Sequence, residues 1–208
     1  LEKRNEMSFR CIVKDASGYK TISNEALLIY NQKVQTTFSK TSGNVTFKVQ
    51  YPENITCGMP TTFKLSSEGT TDKVQYALYS LTTEDGTIVY DTSYGSNGKF
   101  FSKDSFDFTF YASGTYYIRF AIMDTGVSPY VWFNTGLYGI KLVIDDKGYP
   151  TVENVVADLK AQCGKTCTTD FEKAVWFNDW LVENCRYDSS YSYCAPEGAL
   201  ARGSGTCE

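Results

Sequence analysis

Sulfur is the reactive element of this chain. Seven cysteines are present (Cys11, Cys57, Cys163, Cys167, Cys185, Cys194 and Cys207), and histidine is absent. A thiol attacks as its thiolate and normally needs an adjacent base to form it near neutral pH. These 208 residues hold no imidazole for that role. Cys163-Gly-Lys-Thr-Cys167 is one residue too long for the C-x-x-C redox spacing. It is also a poor half of a zinc site. Zinc takes four ligands from paired short spacings, and Cys185 and Cys194 stand nine apart. There is no Walker loop, no GxGxxG and no calcium loop, so no metal and no cofactor is expected. What remains for these cysteines is structural disulfides or plain thiols. Their density suits an oxidising compartment, and the odd count leaves at least one thiol over. The local pairs Cys163–Cys167 and Cys185–Cys194 compete with a cross-pairing that ties two helices together. Loop closure is cheap at these separations, so spacing does not choose.

Two helices must position this region. After Pro150 the apolar period changes from that of a strand to that of a helix. Val152, Val155, Val156 and Leu159 share one face, Thr151 is the expected N-cap, and Cys163-Gly164 ends the run, predicting a helix over 152–162. A second helix is predicted over 170–184. Thr169 and Glu172 form a capping box, and Ala174, Phe177 and Leu181 line one side between Trp176 and Trp180. Tyr187-Asp-Ser-Ser-Tyr-Ser-Tyr193 reads as loop, and 195–208 as a mobile end.

The run Asp170-Phe-Glu-Lys-Ala-Val-Trp-Phe-Asn-Asp-Trp-Leu-Val-Glu-Asn-Cys-Arg-Tyr-Asp188 is followed by Gly198-Ala-Leu200 and Gly203-Ser-Gly-Thr-Cys207. Residues 150–208 thereby resemble the N-terminal part of a transglutaminase-like cysteine hydrolase core. The resemblance implies that Cys207 is the catalytic nucleophile, at a helix start behind a glycine turn. It implies attack on a peptide or glutamine-type amide carbon through a thioester, then hydrolysis or transfer to an amine. The histidine and aspartate of that family follow the nucleophile, so this chain is expected to be a fragment lacking them and inactive by itself. Asn178 stands where the family often has a histidine that is not the catalytic one.

Residues 34–148 read as a β-sandwich. Turn signals such as Ser42-Gly-Asn44, Glu84-Asp-Gly86 and Ser113-Gly114 recur at short spacing between runs of Tyr, Phe, Val and Thr. Val74–Leu81 and Tyr116–Asp124 are the expected central strands. Gly114-Thr-Tyr-Tyr-Ile-Arg-Phe-Ala resembles a strand of bacterial immunoglobulin-like surface modules. Met7–Lys14, the turn Asp15–Gly18 and Tyr19–Tyr30 resemble the last hairpin of another such domain; a hairpin added to the next domain is the other reading of 1–33. The expected order is therefore 1–33, 34–148 and 149–208, mainly β with a C-terminal α segment. The aromatics of Ser128-Pro-Tyr-Val-Trp-Phe133 are expected to fill the core rather than stack on sugars.

Bulk properties exclude several classes. A net charge of −4 argues against a nucleic-acid partner. No apolar run is long enough to span a membrane, and the charged start Leu1-Glu-Lys-Arg-Asn-Glu is not a signal peptide. Asn44-Val-Thr46 and Asn54-Ile-Thr56 match the glycosylation pattern, which carries no meaning in a bacterial protein. Two functions stay in view. One is a secreted or cell-surface enzyme fragment acting on a peptide or protein substrate. The other is a non-catalytic adhesion or spacer module that meets an extracellular or surface partner.

Overall fold

The computed structural model describes residues 34–93 and 104–206, together with four short strands near the N-terminus. Those strands are β1 (Met7–Phe9), β2 (Ile12–Lys14), β3 (Lys20–Ile22) and β4 (Ala26–Leu28). β1 pairs antiparallel with β4 and β2 with β3, a returning ribbon as the alternation predicts. The predicted turn Asp15–Gly18 lies outside the described residues, as do Cys11 and Cys207.

The main body is two sheets packed face to face. One contains β5 (Gln35–Ser42), β6 (Val45–Pro52), β8 (Pro60–Glu68) and β11 (Ser105–Thr109), in the order β11-β8-β6-β5. The other contains β7 (Ile55–Thr56), β9 (Val74–Thr83), β10 (Ile88–Asp91), β12 (Gly114–Asp124), β13 (Val131–Asn134) and β14 (Ile140–Asp145). Its order is β10-β9-β12-β14-β7, with β13 also paired to β12. All these pairings are antiparallel except β14 with β7. The two expected central strands, β9 and β12, pair with each other.

Strict alternation builds the core. β6, β8 and β14 each bury every second side chain along most of their length. Phe63 and Phe106 from one sheet meet Phe120 from the other, with ring centroids 5.2 and 6.1 Å apart. Phe47 reaches Tyr76 and Phe133 across the same gap. Each such buried ring contributes roughly 1.5–3 kcal/mol relative to exposure. At the start of β12 the Tyr116 hydroxyl donates to the carbonyl of Ala112 at 2.9 Å, closing the corner that enters the strand.

Three differences from the sequence reading are physical. β13 is a strand, so Val131-Trp-Phe133 alternates: Phe133 is buried and Trp132 faces out. The expectation that this aromatic run fills the core is corrected for Trp132 and Tyr130, both exposed. Beyond α1 (Val152–Cys163) and α2 (Asp170–Asn184) there is a third helix, α3 (Pro196–Arg202), where a mobile end is expected. Pro at its first position suits a helix start, and Gly203 ends it at φ +63°. It is followed by a short strand, β16 (Ser204–Gly205), which pairs in parallel with β15 (Arg186–Tyr187).

The predicted caps form. Thr169 accepts from the Glu172 amide, while the Glu172 carboxylate accepts from the Thr168 and Thr169 amides at 2.8 Å. These bonds draw the exposed Glu172 carboxyl down to about 2. Thr151 caps α1 with Asn154 as its reciprocal partner.

Candidate functional site

The residues leading to Cys207 form one hydrogen-bonded unit. α2 ends at Asn184 with Cys185 as its C-cap, and the chain turns back along β15, a loop and α3 before β16. The Arg186 amide donates to Gly203 O at 2.9 Å, and the Asp188 amide donates to Gly205 O at 2.8 Å. Three glycines let the strands and helix close on one another. A Cβ on Gly203 would lie 2.7 Å from Asn184 O, on Gly205 2.7 Å from Ala199 Cβ, and on Gly198 2.3 Å from the Tyr193 ring. Gly203 is also left-handed, where other residues are strained.

A buried carboxylate organises the loop. Asp188 is 7% exposed. Its Oδ1 accepts from the Ser190 amide at 3.0 Å and from the Ser190 hydroxyl. Its Oδ2 accepts from the Ser192 amide and hydroxyl and from Arg202 Nη1 at 3.2 Å. Arg202 Nη2 also donates to Ser192 Oγ at 2.8 Å. Burial alone would raise this carboxyl, but the bonds from Ser190, Ser192 and Arg202 outweigh it and hold it well below the usual carboxylate range. Tyr187, read as loop, belongs instead to β15, and the loop that remains over 188–193 is a tightly tied segment.

The same segment is pinned to the sheets. Tyr193 is buried, stacks on Phe108 at 5.7 Å, and donates from its hydroxyl to Glu197 Oε1 at 3.0 Å. The Tyr111 amide donates to that hydroxyl, and the Cys194 amide donates to Val89 O at 2.8 Å. Thr206, the last described residue before Cys207, reaches back to Cys194 O through its hydroxyl.

The described thiols are poor nucleophiles where their environment acts on them. Burial, aided by Asp146 and Asp145, pushes the Cys57 thiol up to about 11. Burial also raises the Cys163 thiol, and contact with Cys167 adds to that. Cys163, Cys167 and Cys185 stand as thiols, so neither local disulfide expected from the sequence is formed here. Cys163 and Cys167 nonetheless adjoin across the helix end, where the Cys167 amide donates to Cys163 O at 2.9 Å. Among the described residues no three of the side chains that ligate metals come together. No helix of the described residues is long and apolar enough to cross a membrane. Comparison with family models, with curated proteins and with solved structures finds no match for this chain.

Proposed function

We propose that residues 149–208 form the N-terminal part of a transglutaminase-like cysteine hydrolase or acyltransferase core, with Cys207 as the nucleophile. The observation that carries this reading is the tied unit ahead of Cys207. β15, the Asp188–Arg202 pair and the Gly203–Gly205 turn tie the backbone as far as Thr206 to the rest of the segment. A nucleophile gains from a rigid approach, because positioning removes entropy from the attack. In the reaction the Cys207 thiolate adds to an amide carbon. The tetrahedral oxyanion collapses to a thioester, and the amine leaves with a proton. Water or a second amine then takes the acyl group. The base implied by the family is a histidine, which these 208 residues do not contain.

For residues 34–148 the reading is an immunoglobulin-like adhesion or spacer module. It is supported by two sheets, antiparallel apart from the short β14–β7 pair, around one core and by the Tyr116 hydroxyl bond to Ala112 O, the geometry of a tyrosine corner. Both readings suit a secreted or cell-surface bacterial protein. In that compartment the adjoining Cys163 and Cys167 would close to a disulfide, which peptide mapping without reduction detects.

Thiol reactivity tests the first reading. At pH 9, where a thiolate forms without a neighbouring base, Cys207 is expected to alkylate with iodoacetamide faster than the buried Cys57. A Cys207 that reacts no faster than Cys57 is closed to reagent and to substrate, which removes it as a nucleophile.

A further inference from the structure

The outer face of the six-stranded sheet carries an arrangement that the thiol reading does not use. A groove of about 360 Å³ crosses it, lined by Thr82, Thr83, Glu84, Tyr117, Arg119 and Tyr138, among others. Strand register assembles it. Tyr117 lies opposite Thr82 on β9 and Lys141 on β14, and Arg119 lies opposite Ser80. Arg119 is fixed from two sides. Its Nε donates to Ser80 Oγ at 2.6 Å, and its guanidinium sits 5.0 Å from the centre of the Tyr79 ring. No described carboxylate forms an ion pair with it. Tyr79 meets Trp132 edge to face at 6.4 Å, so the stripe of rings continues past the groove. Trp132 is 45% exposed and Tyr138 78% exposed. Large rings left in water beside a held guanidinium are the chemistry of a binding surface.

We propose that this face binds a neutral oligosaccharide. A pyranose presents a C–H face, which packs on a ring, and a rim of hydroxyls, which both donate and accept. Tyr117 and Tyr138 wall the groove with rings. The Arg119 fork offers parallel donors to neighbouring hydroxyls, and Glu84 on the same groove offers an acceptor. A cation and an anion in one groove match neither a polyanion nor a polycation. The continuation through Tyr79 to Trp132 leaves room for more than one sugar.

Isothermal titration calorimetry of the whole chain against cellohexaose, laminarihexaose, chitohexaose and maltohexaose tests this. At least one is expected to bind, with an affinity that added salt leaves unchanged. Tyr138→Ala removes an exposed ring with no risk to the core, and Arg119→Lys keeps the charge but loses the fork. Weakening by about tenfold in either variant supports the site. Absence of binding across the panel overturns it. So does binding that neither variant weakens, or tighter, salt-released binding of a heparin fragment.

Discussion

In the two-sheet body, alternate side chains of most strands meet partners from the opposite sheet. In the C-terminal helices the apolar faces are only half used. α1 buries Leu159 and Cys163, but α2 buries nothing fully, and Phe171, Leu181 and Val182 stand exposed. What holds the C-terminal segment is a few polar and aromatic anchors: Asp188 with Arg202, and Tyr193 under the sheets. The body is stabilised by area, the segment by specific bonds. The two should therefore fail in different ways.

The largest effect is expected where the sheets meet. Phe63→Ala removes a fully buried ring that contacts Phe120 and Tyr51. Urea unfolding should show a loss of about 3–5 kcal/mol. A loss below about 1 kcal/mol would mean that the two sheets do not share one close-packed core.

Next in size is the anchor of the segment. Asp188→Asn takes the charge from a buried carboxylate that Arg202 and two serines address, at a cost of about 1.5–3 kcal/mol. The damage should be local. Hydrogen exchange should quicken at the Arg186 and Asp188 amides, which bond to Gly203 and Gly205, while the amides of β12 keep their protection. Equal acceleration in both places would erase the distinction between body and segment.

Much of this contrast is readable in the chain, and the gaps have physical causes. β9 and β12 are dense in Tyr, Leu, Ile and Phe, and both helix caps are written as Thr followed by an acceptor three residues on. β5 escapes because it is an exposed edge strand of Thr, Ser and Lys, with no apolar alternation to read. α3 escapes because Pro196 and Gly198 look like turn residues. Gly198 is in fact required by the Tyr193 ring lying against it. Asp188, Ser190 and Ser192 carry a local signal, since an aspartate that bonds the amide two residues on is a turn former. Arg202, which completes the site, lies fourteen residues away, and only the fold brings it in.

A smaller effect belongs to the start of α2, and it depends on pH. The Glu172 carboxyl is lowered in the folded chain to about 2. Its contribution is therefore full above the unfolded carboxylate value of about 4.3 and disappears as pH falls toward about 2. Thr169→Ala should cost about 1 kcal/mol at neutral pH. Circular dichroism on acidification should show α2 fraying through that window, with less further loss in a Glu172→Gln variant, whose side chain does not titrate. Identical acid profiles for the two would mean that the Glu172 carboxylate does not hold this helix.

The smallest effect is expected on the outer side of α2, and it sharpens the comparison most. Leu181 is 50% exposed and Val182 73% exposed. A side chain already in water loses little on replacement, so Leu181→Gln should change stability by no more than about 0.5 kcal/mol. Leu65→Gln inside β8 would cost several times that, because there it would strand a polar group in a packed core. Urea unfolding at several protein concentrations separates two outcomes. A small change independent of concentration is what an uncovered helix face gives. A large loss that grows on dilution would show that α2 is covered by a second copy of the chain in solution, and the segment would then be stabilised by area as the sheets are.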